Sequence, residues 1–402
     1  MRACARPAAV VVLSLAASAC ERLAGPDDRG GGLRARWHRS QAGTEVRARP
    51  AVLGDLVYFG TGDGYVVARE WATGARRWGA AVSRGTAVQG ANLVARAGVV
   101  VAPLVRRVVA LDAATGRERW RYDPPPDTVD AGPRPAPGQV VLSHVDADDA
   151  TVYVPAWGAW VSALDLRTGA ARWVWQPGHS PGDPEPGGVY RSGSMGVRVS
   201  GDTVFATVWH ALERLAGGLV GASESWLVAL DRGTGRELWR AVLPGYPPGG
   251  VIVAGAPAIH GNFVLVATDG GHVWAIDRAT QQVAWHFTPR TEYVTLTQVE
   301  VYGGVAYADG GDRRLYGLRA ADGTVLWSAD ATNGATRDLL VTERRVYYPT
   351  AGKLHVFDRA TGRRLATARV RVDGDIFESP AAFADGRVFV TATDGAWSFD
   401  EP

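Results

Sequence analysis

Short apolar runs recur along the chain from about residue 50 onward, each closed by Gly, Asp, Asn or Thr. Val57-Tyr58-Phe59, Val108-Val109-Ala110-Leu111, Val264-Leu265-Val266 and Val388-Phe389-Val390 are examples. Period two turns one face of an extended strand inward, and runs this short are strand-sized. An all-β body with hardly any helix is expected.

One phrase organises these runs: an apolar strand, an acid, Thr-Gly, then Trp five residues after the Thr. It stands at Thr73-Gly74 with Trp78, Thr115-Gly116 with Trp120, Thr168-Gly169 with Trp173 and Thr234-Gly235 with Trp239. Thr280-Gln281 with Trp285 and Asp322-Gly323 with Trp327 continue it, and Thr361-Gly362 has Ala366 in place of Trp. The acid is Glu70, Asp112, Asp165, Asp231, Asp277 and Asp358, with Arg319 as the exception. Asp and Thr bond their own backbone through a turn, Gly supplies a positive φ, and Trp opens the next strand as a large apolar plate. Upstream, Asp63-Gly64, Asp269-Gly270 and Asp394-Gly395 mark tight hairpins, and Pro50, Pro257 and Pro380 open a shorter inner strand. Four strands at intervals of 39 to 66 residues make the blade of a β-propeller.

The two ends settle the count. The last copy reaches Ser398-Phe399-Asp400 without a following Thr-Gly or Trp, while Arg36-Trp37 is an outer-strand fragment with nothing before it. Joining them gives eight blades and removes the sheet edges that a linear array would expose. The expected organisation is an export signal over 1–20, a flexible tether over 21–35 and one eight-bladed propeller over 36–402. Seven structural tryptophans follow: Trp37, Trp78, Trp120, Trp173, Trp239, Trp285 and Trp327.

Composition changes this picture in two places. Lys+Arg is 43 against Asp+Glu 41, so no global field draws nucleic acid. Cys4 and Cys20 are the only two cysteines, which leaves the body without a thiol for a disulfide, a metal or a nucleophile. Arg2 and Arg6, the apolar run from Ala8 to Leu15, and Ala16-Ala17-Ser18-Ala19-Cys20 have the form of an export signal. The segment resembles a bacterial lipoprotein signal in which Cys20 is lipidated, although Ala17 stands where such signals most often carry Leu. Cleavage after Ala19 fits the A-x-A rule equally.

Four insertions fall on the face away from the Thr-Gly turns: 122–139 and 176–196 as connectors, 209–225 inside blade four, and 244–255. Long loops gathered on one face are usually functional. The expected partner surface therefore includes Tyr122, His179, Tyr190, Arg191, Trp209, His210, Glu213, Arg214 and Tyr246. A second expectation is a polar ring at the tunnel mouth: Arg49, Asn92, His144, Thr297, Asp338 and Glu378. Polar inner strands also suit any wet tunnel. No metal is expected. The histidines are scattered, Asp146, Asp148 and Asp149 read as a solvated turn, and Asp183 and Glu185 are surface acids. Ser225 lacks the Gly-x-Ser-x-Gly elbow of a hydrolase.

The phrase Val-Ala-Leu-Asp-Ala-Ala-Thr-Gly-Arg-Glu-Arg-Trp at 109–120 resembles the pyrroloquinoline-quinone (PQQ)-like propeller repeat, and the resemblance covers about 36 to 400. Within that superfamily the chain is similar to the BamB-type outer-membrane assembly lipoproteins. The resemblance implies an envelope scaffold on the periplasmic side of the outer membrane, monomeric, which binds proteins of the barrel-assembly machinery and catalyses nothing. The alternative is a quinoprotein oxidoreductase holding PQQ with calcium in the tunnel. Such relatives use an adjacent-cysteine disulfide that this sequence lacks; Trp157, Trp160 or Trp209 with Glu378 would have to supply a site. A ligand- or carbohydrate-binding propeller is the third reading.

Overall fold

The computed structural model describes residues 33–40, 48–83, 88, 92–104, 107–125, 144–156, 158–177, 188–214, 218–219, 224–243, 253, 255–268, 271–290, 298–310, 312–331, 339–350, 353–369, 381–392 and 395–402. They form eight antiparallel sheets in a propeller. Blades one to seven span 51–81, 94–122, 146–175, 188–243, 258–287, 299–330 and 340–369. Blade eight combines 382–400 with Ala35–Ser40, the N-terminal strand lying outermost beside Gly395–Asp400. The seam pairs Trp37 with Ser398 and Ser40 with Gly395, and Arg36 Nε meets Asp400 Oδ1 at 2.5 Å.

The repeated phrase is a wedge between blades. The Thr-Gly glycines hold φ near +70°, from Gly362 at 69° to Gly323 at 74°, and Gln281 takes the same left-handed turn at 62°. Six of the indoles, those of Trp37, Trp78, Trp120, Trp173, Trp285 and Trp327, lie over the next blade's turn. Trp120 packs on Gly169, Trp173 on Gly235 and Trp327 on Gly362 so closely that a Cβ there would sit 2.4–2.6 Å from the ring. The indole N–H then donates to a turn carbonyl: Trp37 to Trp71, Trp78 to Ala113, Trp120 to Leu166, Trp173 to Arg232, Trp285 to Ala320 and Trp327 to Arg359. Across the strand each of these indoles faces a small residue beside a register shift, as in Ala110 opposite Trp120, Gly317 opposite Trp327 and Ser398 opposite Trp37. Room for the plate is thus provided on both sides.

The acid closes the turn beneath. Asp165 accepts from the Thr168 amide and hydroxyl, and Arg172 joins it at 2.8 Å. Where Arg319 replaces the acid, Asp322 at the Thr position supplies the carboxylate: it caps the Thr324 amide and pairs with Arg319 at 3.0 Å. The charges have changed places and the turn survives. The main apolar clusters lie between adjacent blades, such as Tyr58, Val66 and Ala68 of blade one against Val100, Val109 and Leu111 of blade two. Burial between sheets is therefore what holds the ring.

Blade four corrects one expectation. The sequence suggests a connector over 176–196, yet the second half of that stretch is strand: Gly188–Ser200 pairs with Thr203–Arg214. The other inner strands have two to four residues and this one has 13. The pairing runs past the blade body, whose third strand ends at His210↔Glu224, from Arg191↔Ala211 to Gly188↔Arg214, making a projecting ribbon. Gly218–Leu219 adds a short strand at its end. The alternation in Val197-Arg198-Val199-Ser200 simply continues upstream, and Gly and Ser hid it.

Candidate functional site: the tunnel mouth and the ribbon

The residues just ahead of each inner strand form circumferential links. Arg49 and Asn92 make a parallel bridge, with the Leu93 amide donating to the Arg49 carbonyl at 3.0 Å. The Asn92 amide grips blade three twice, donating to the Val145 carbonyl and accepting from its N–H, both at 3.0 Å. His144 is buried and bridges Gly196 of blade four. Gly196 is obligatory there, because a Cβ would lie 2.5 Å from the Ala256 backbone of the blade-five segment. The Thr207 hydroxyl continues the chain of contacts, donating to the Gly255 carbonyl at 2.7 Å.

Arg49 does more than join this ladder. Its Nη2 donates to the Leu339 carbonyl at 2.6 Å and lies 3.4 Å from Glu300 Oε1. Glu300 is on the inner strand of blade six and Leu339 precedes that of blade seven. Buried Gln298 turns its amide toward the same carboxylate, Nε2 to Oε1 3.4 Å. Of the six expected mouth residues the structure brings three, Arg49, Asn92 and His144, into one inter-blade network. Thr297, Asp338 and Glu378 lie outside the described residues.

On the loop face the ribbon gathers several expected partner residues. Tyr190 stands opposite Leu212, Arg191 opposite Ala211, His210 opposite Ser192, Glu213 opposite Val189 and Arg214 opposite Gly188. Trp209 is half-buried at the ribbon's base, over Gly193 and against the cluster joining blades four and five. Tyr122 is engaged in packing: its ring joins the cluster between blades two and three and its hydroxyl meets Ser162 at 2.9 Å. Burial raises its pKa. His179, Tyr246, Trp157, Asp183, Glu185 and Cys20 lie outside the described residues.

The Asp146 to Asp149 turn is more structural than its sequence suggests. Asp148 meets Arg232 of blade four at 2.8 Å and accepts from Tyr153, while Asp146 caps the Val199 amide. A feature the sequence did not flag sits on blade five. His272 Nδ1 and His286 Nε2 are 3.0 Å apart, and the His286 ring stacks on Trp274 at 3.6 Å. Desolvation, with His272 adding to it, pushes His286 down to about 4. The pairing Trp274↔His286 was the available signal, hidden because a hairpin register cannot be read before the bulge is known.

Among the described residues no three His, Cys, Asp or Glu side chains gather as metal ligands. The quinone reading can be tested on the tunnel itself. PQQ is an acidic quinone, and its carboxylates and calcium would need a cation and carboxylates turned toward them. The cation and carboxylate found here, Arg49 and Glu300, are joined to each other, with Arg49 also bound to a backbone carbonyl. The described part of the tunnel does not fit the group.

The family model described as Outer membrane protein assembly factor BamB matches residues 32–101, 87–209 and 223–400. A protein of that name from Nitrosomonas eutropha is 36% identical over 102 residues, 25% of this chain and 23% of its own. Quinohemoprotein alcohol dehydrogenase ADH IIB from Pseudomonas putida is 25% identical over 288 residues, covering 65% of this chain and 38% of the relative. The chain thus spans well under half the length of either relative in these matches. Among solved structures, BamB from Moraxella catarrhalis has a TM-score of 0.62 at 16% identity, covering 90% of this chain and 98% of its own. Quinohemoprotein alcohol dehydrogenase from Comamonas testosteroni has 0.64 at 16%, covering 92% and 76%. These likenesses speak for the fold. The family match spans most of the propeller, and the chain belongs to the PQQ-like repeat family described by outer membrane protein assembly factor BamB.

Proposed function

We propose that this protein is a non-catalytic scaffold of the bacterial cell envelope that docks other envelope proteins through its loop face, in the assembly of outer-membrane β-barrels. The observation that carries the reading is the ribbon: among the described residues only blade four extends its first two strands beyond the blade, and Tyr190, Arg191 and Arg214 lie on that extension. Loops and extensions placed on a rigid frame are where binding residues concentrate. The name of the matched family agrees with the reading.

Lipidation at Cys20 belongs to the same proposal. The N-terminal strand pairs antiparallel to Gly395–Asp400, with Ala35 opposite Phe399, so the chain enters blade eight from the Thr-Gly turn face. An anchor at Cys20 would tether the propeller to the bilayer through that face, opposite the ribbon. Fatty-acid labelling lost in Cys20→Ala tests the anchor.

The test of function is a crosslinked pull-down of the tagged protein from its native envelope. Barrel-assembly proteins should be enriched, and the triple variant Tyr190→Ala, Arg191→Glu, Arg214→Glu should lose them. Their absence from a pull-down that retains other envelope proteins would refute the assignment. The alcohol dehydrogenase relatives favour a second reading, quinone-dependent oxidation. It requires stoichiometric quinone in the purified protein and dye-linked alcohol oxidation.

A further inference from the structure

We infer that Arg49 is a clasp across the closure seam of the propeller, occupying with Glu300 the part of the tunnel that a cofactor would need. The argument is topological. Arg49 lies between the N-terminal strand Ala35–Ser40, which completes blade eight, and the inner strand of blade one at Ala51–Leu53. Around the ring, blade eight stands between blades seven and one. The Arg49 partners Glu300 and Leu339 belong to blade six and to the segment entering blade seven, 251 and 290 residues away in sequence. A side chain from blade one reaches them only by passing blade eight on its tunnel side.

The position gives the contact its purpose. Blade eight is the one blade assembled from both ends of the described chain, held by strand pairing at Ala35–Ser40, Arg36–Asp400 and the Trp37 wedge. Those contacts lie at the outer edge of the blade. Arg49 ties the same seam from the inner edge, so an opening of the ring must break both. Arginine suits this, since its planar fork reaches two acceptors at once, here a carboxylate and a backbone carbonyl. Arg49 and Glu300 are each about a quarter exposed or less, 24% and 19%, so solvent screens them only in part. Gln298 donates to the same carboxylate oxygen, Nε2 to Oε1 3.4 Å, and so shares in holding it.

The same contacts decide what the tunnel can hold. A quinone carboxylate would have to take Arg49 from Glu300 and from the Leu339 carbonyl, and a calcium ion would have to take Glu300 from Arg49. The inference is independent of the scaffold reading. It would stand if the pull-down found no partner.

The experiment uses the mature chain with Arg49→Met, Glu300→Gln and the double variant, in two measurements. Thermal unfolding should show each single variant melting a few degrees below the parent, with the double variant well above the sum of the two losses, because a lone buried charge is worse than none. Titration of the parent with PQQ and calcium, followed by absorbance after dialysis, should leave no bound quinone. Additive or absent melting shifts would overturn the clasp. Stoichiometric quinone in the parent would overturn it as well, and loss of that quinone in Arg49→Met would make Arg49 a ligand-binding residue instead.

Discussion

Replacing Gly169 by Ala tests the wedge on which the ring depends. Gly169 sits at φ +73°, and a Cβ there would lie 2.6 Å from Cδ2 and 2.7 Å from Cγ of Trp120. Left-handed backbone costs an ordinary residue about 1–2 kcal/mol. The methyl must also push out an indole that is 7% exposed and bonded to the Leu166 carbonyl at 3.0 Å. Overpacking adds about 1–3 kcal/mol and the lost hydrogen bond about 1 kcal/mol, for a total near 3–6 kcal/mol. Gly201 is the control, because it holds φ +58° with nothing within 4 Å of a Cβ. Gly201→Ala should therefore lose only the backbone term, about 1–2 kcal/mol. Urea unfolding of both variants, followed together by tryptophan fluorescence and circular dichroism, reads the difference and shows whether blades two and three open first. Equal midpoints for the two variants would mean that the indole is not wedged.

Trp37→Ala removes the seam wedge packed between Phe59 and Phe389 and should cost about 3–5 kcal/mol in urea unfolding; a loss below about 1 kcal/mol would refute its closing role. Asp112 and Asp165 are held at about 2, chiefly by their hydrogen bonds from Arg119 and Arg172. Their folded values lie below the unfolded one, so their contribution is full above about pH 4 and is lost as pH falls toward 2. Asp165→Asn should flatten the stability curve in that window, and an unchanged slope would contradict the assignment. His286, pushed down to about 4, favours the neutral form, so its contribution is present above about pH 6.5 and fades as pH falls to 4. Proton NMR should place its midpoint near 4, moving up when His272 is replaced by Gln; a midpoint near 6.5 in the parent would reject the burial argument.

The site was less legible than the frame, for a physical reason. A polar residue ahead of an inner strand announces a tunnel position, which is why Arg49, Asn92 and His144 could be named. What each one holds depends on ring closure, and Arg49 meets a carboxylate 251 residues away. Glu300 alternates inside an ordinary strand, Val299–Tyr302, and carries no local mark. The ribbon was missed for another reason: Gly188, Gly193 and Gly196 read as loop, whereas Gly193 and Gly196 are there because Trp209 and the Ala256 backbone approach too closely for a side chain. Tyr122, an aromatic beside a proline-rich connector, packs between blades two and three and bonds Ser162, contacts that the sequence does not announce.

The frame was legible because the wedge needs the same residues at every blade, and the one copy without Trp shows why. Ala366 lies opposite Val356 on blade seven and faces blade eight. Blade eight has no Thr-Gly turn, since its third strand ends at Asp400 and its fourth comes from Ala35–Ser40. In place of the turn, Glu401 accepts from Thr342 at 2.9 Å and Arg345 donates to the Pro402 carbonyl at 2.6 Å. An indole at 366 would have no left-handed turn to cover and no turn carbonyl to bond. It would instead enter a site where Ala366 is already 5% exposed among Leu354, Val388 and Trp397. Ala366→Trp should therefore destabilise the protein by about 1–3 kcal/mol, although it restores the repeat consensus. If urea unfolding showed it to be stabilising, the wedge would be a property of the indole alone, and the turn beneath it would not be its partner.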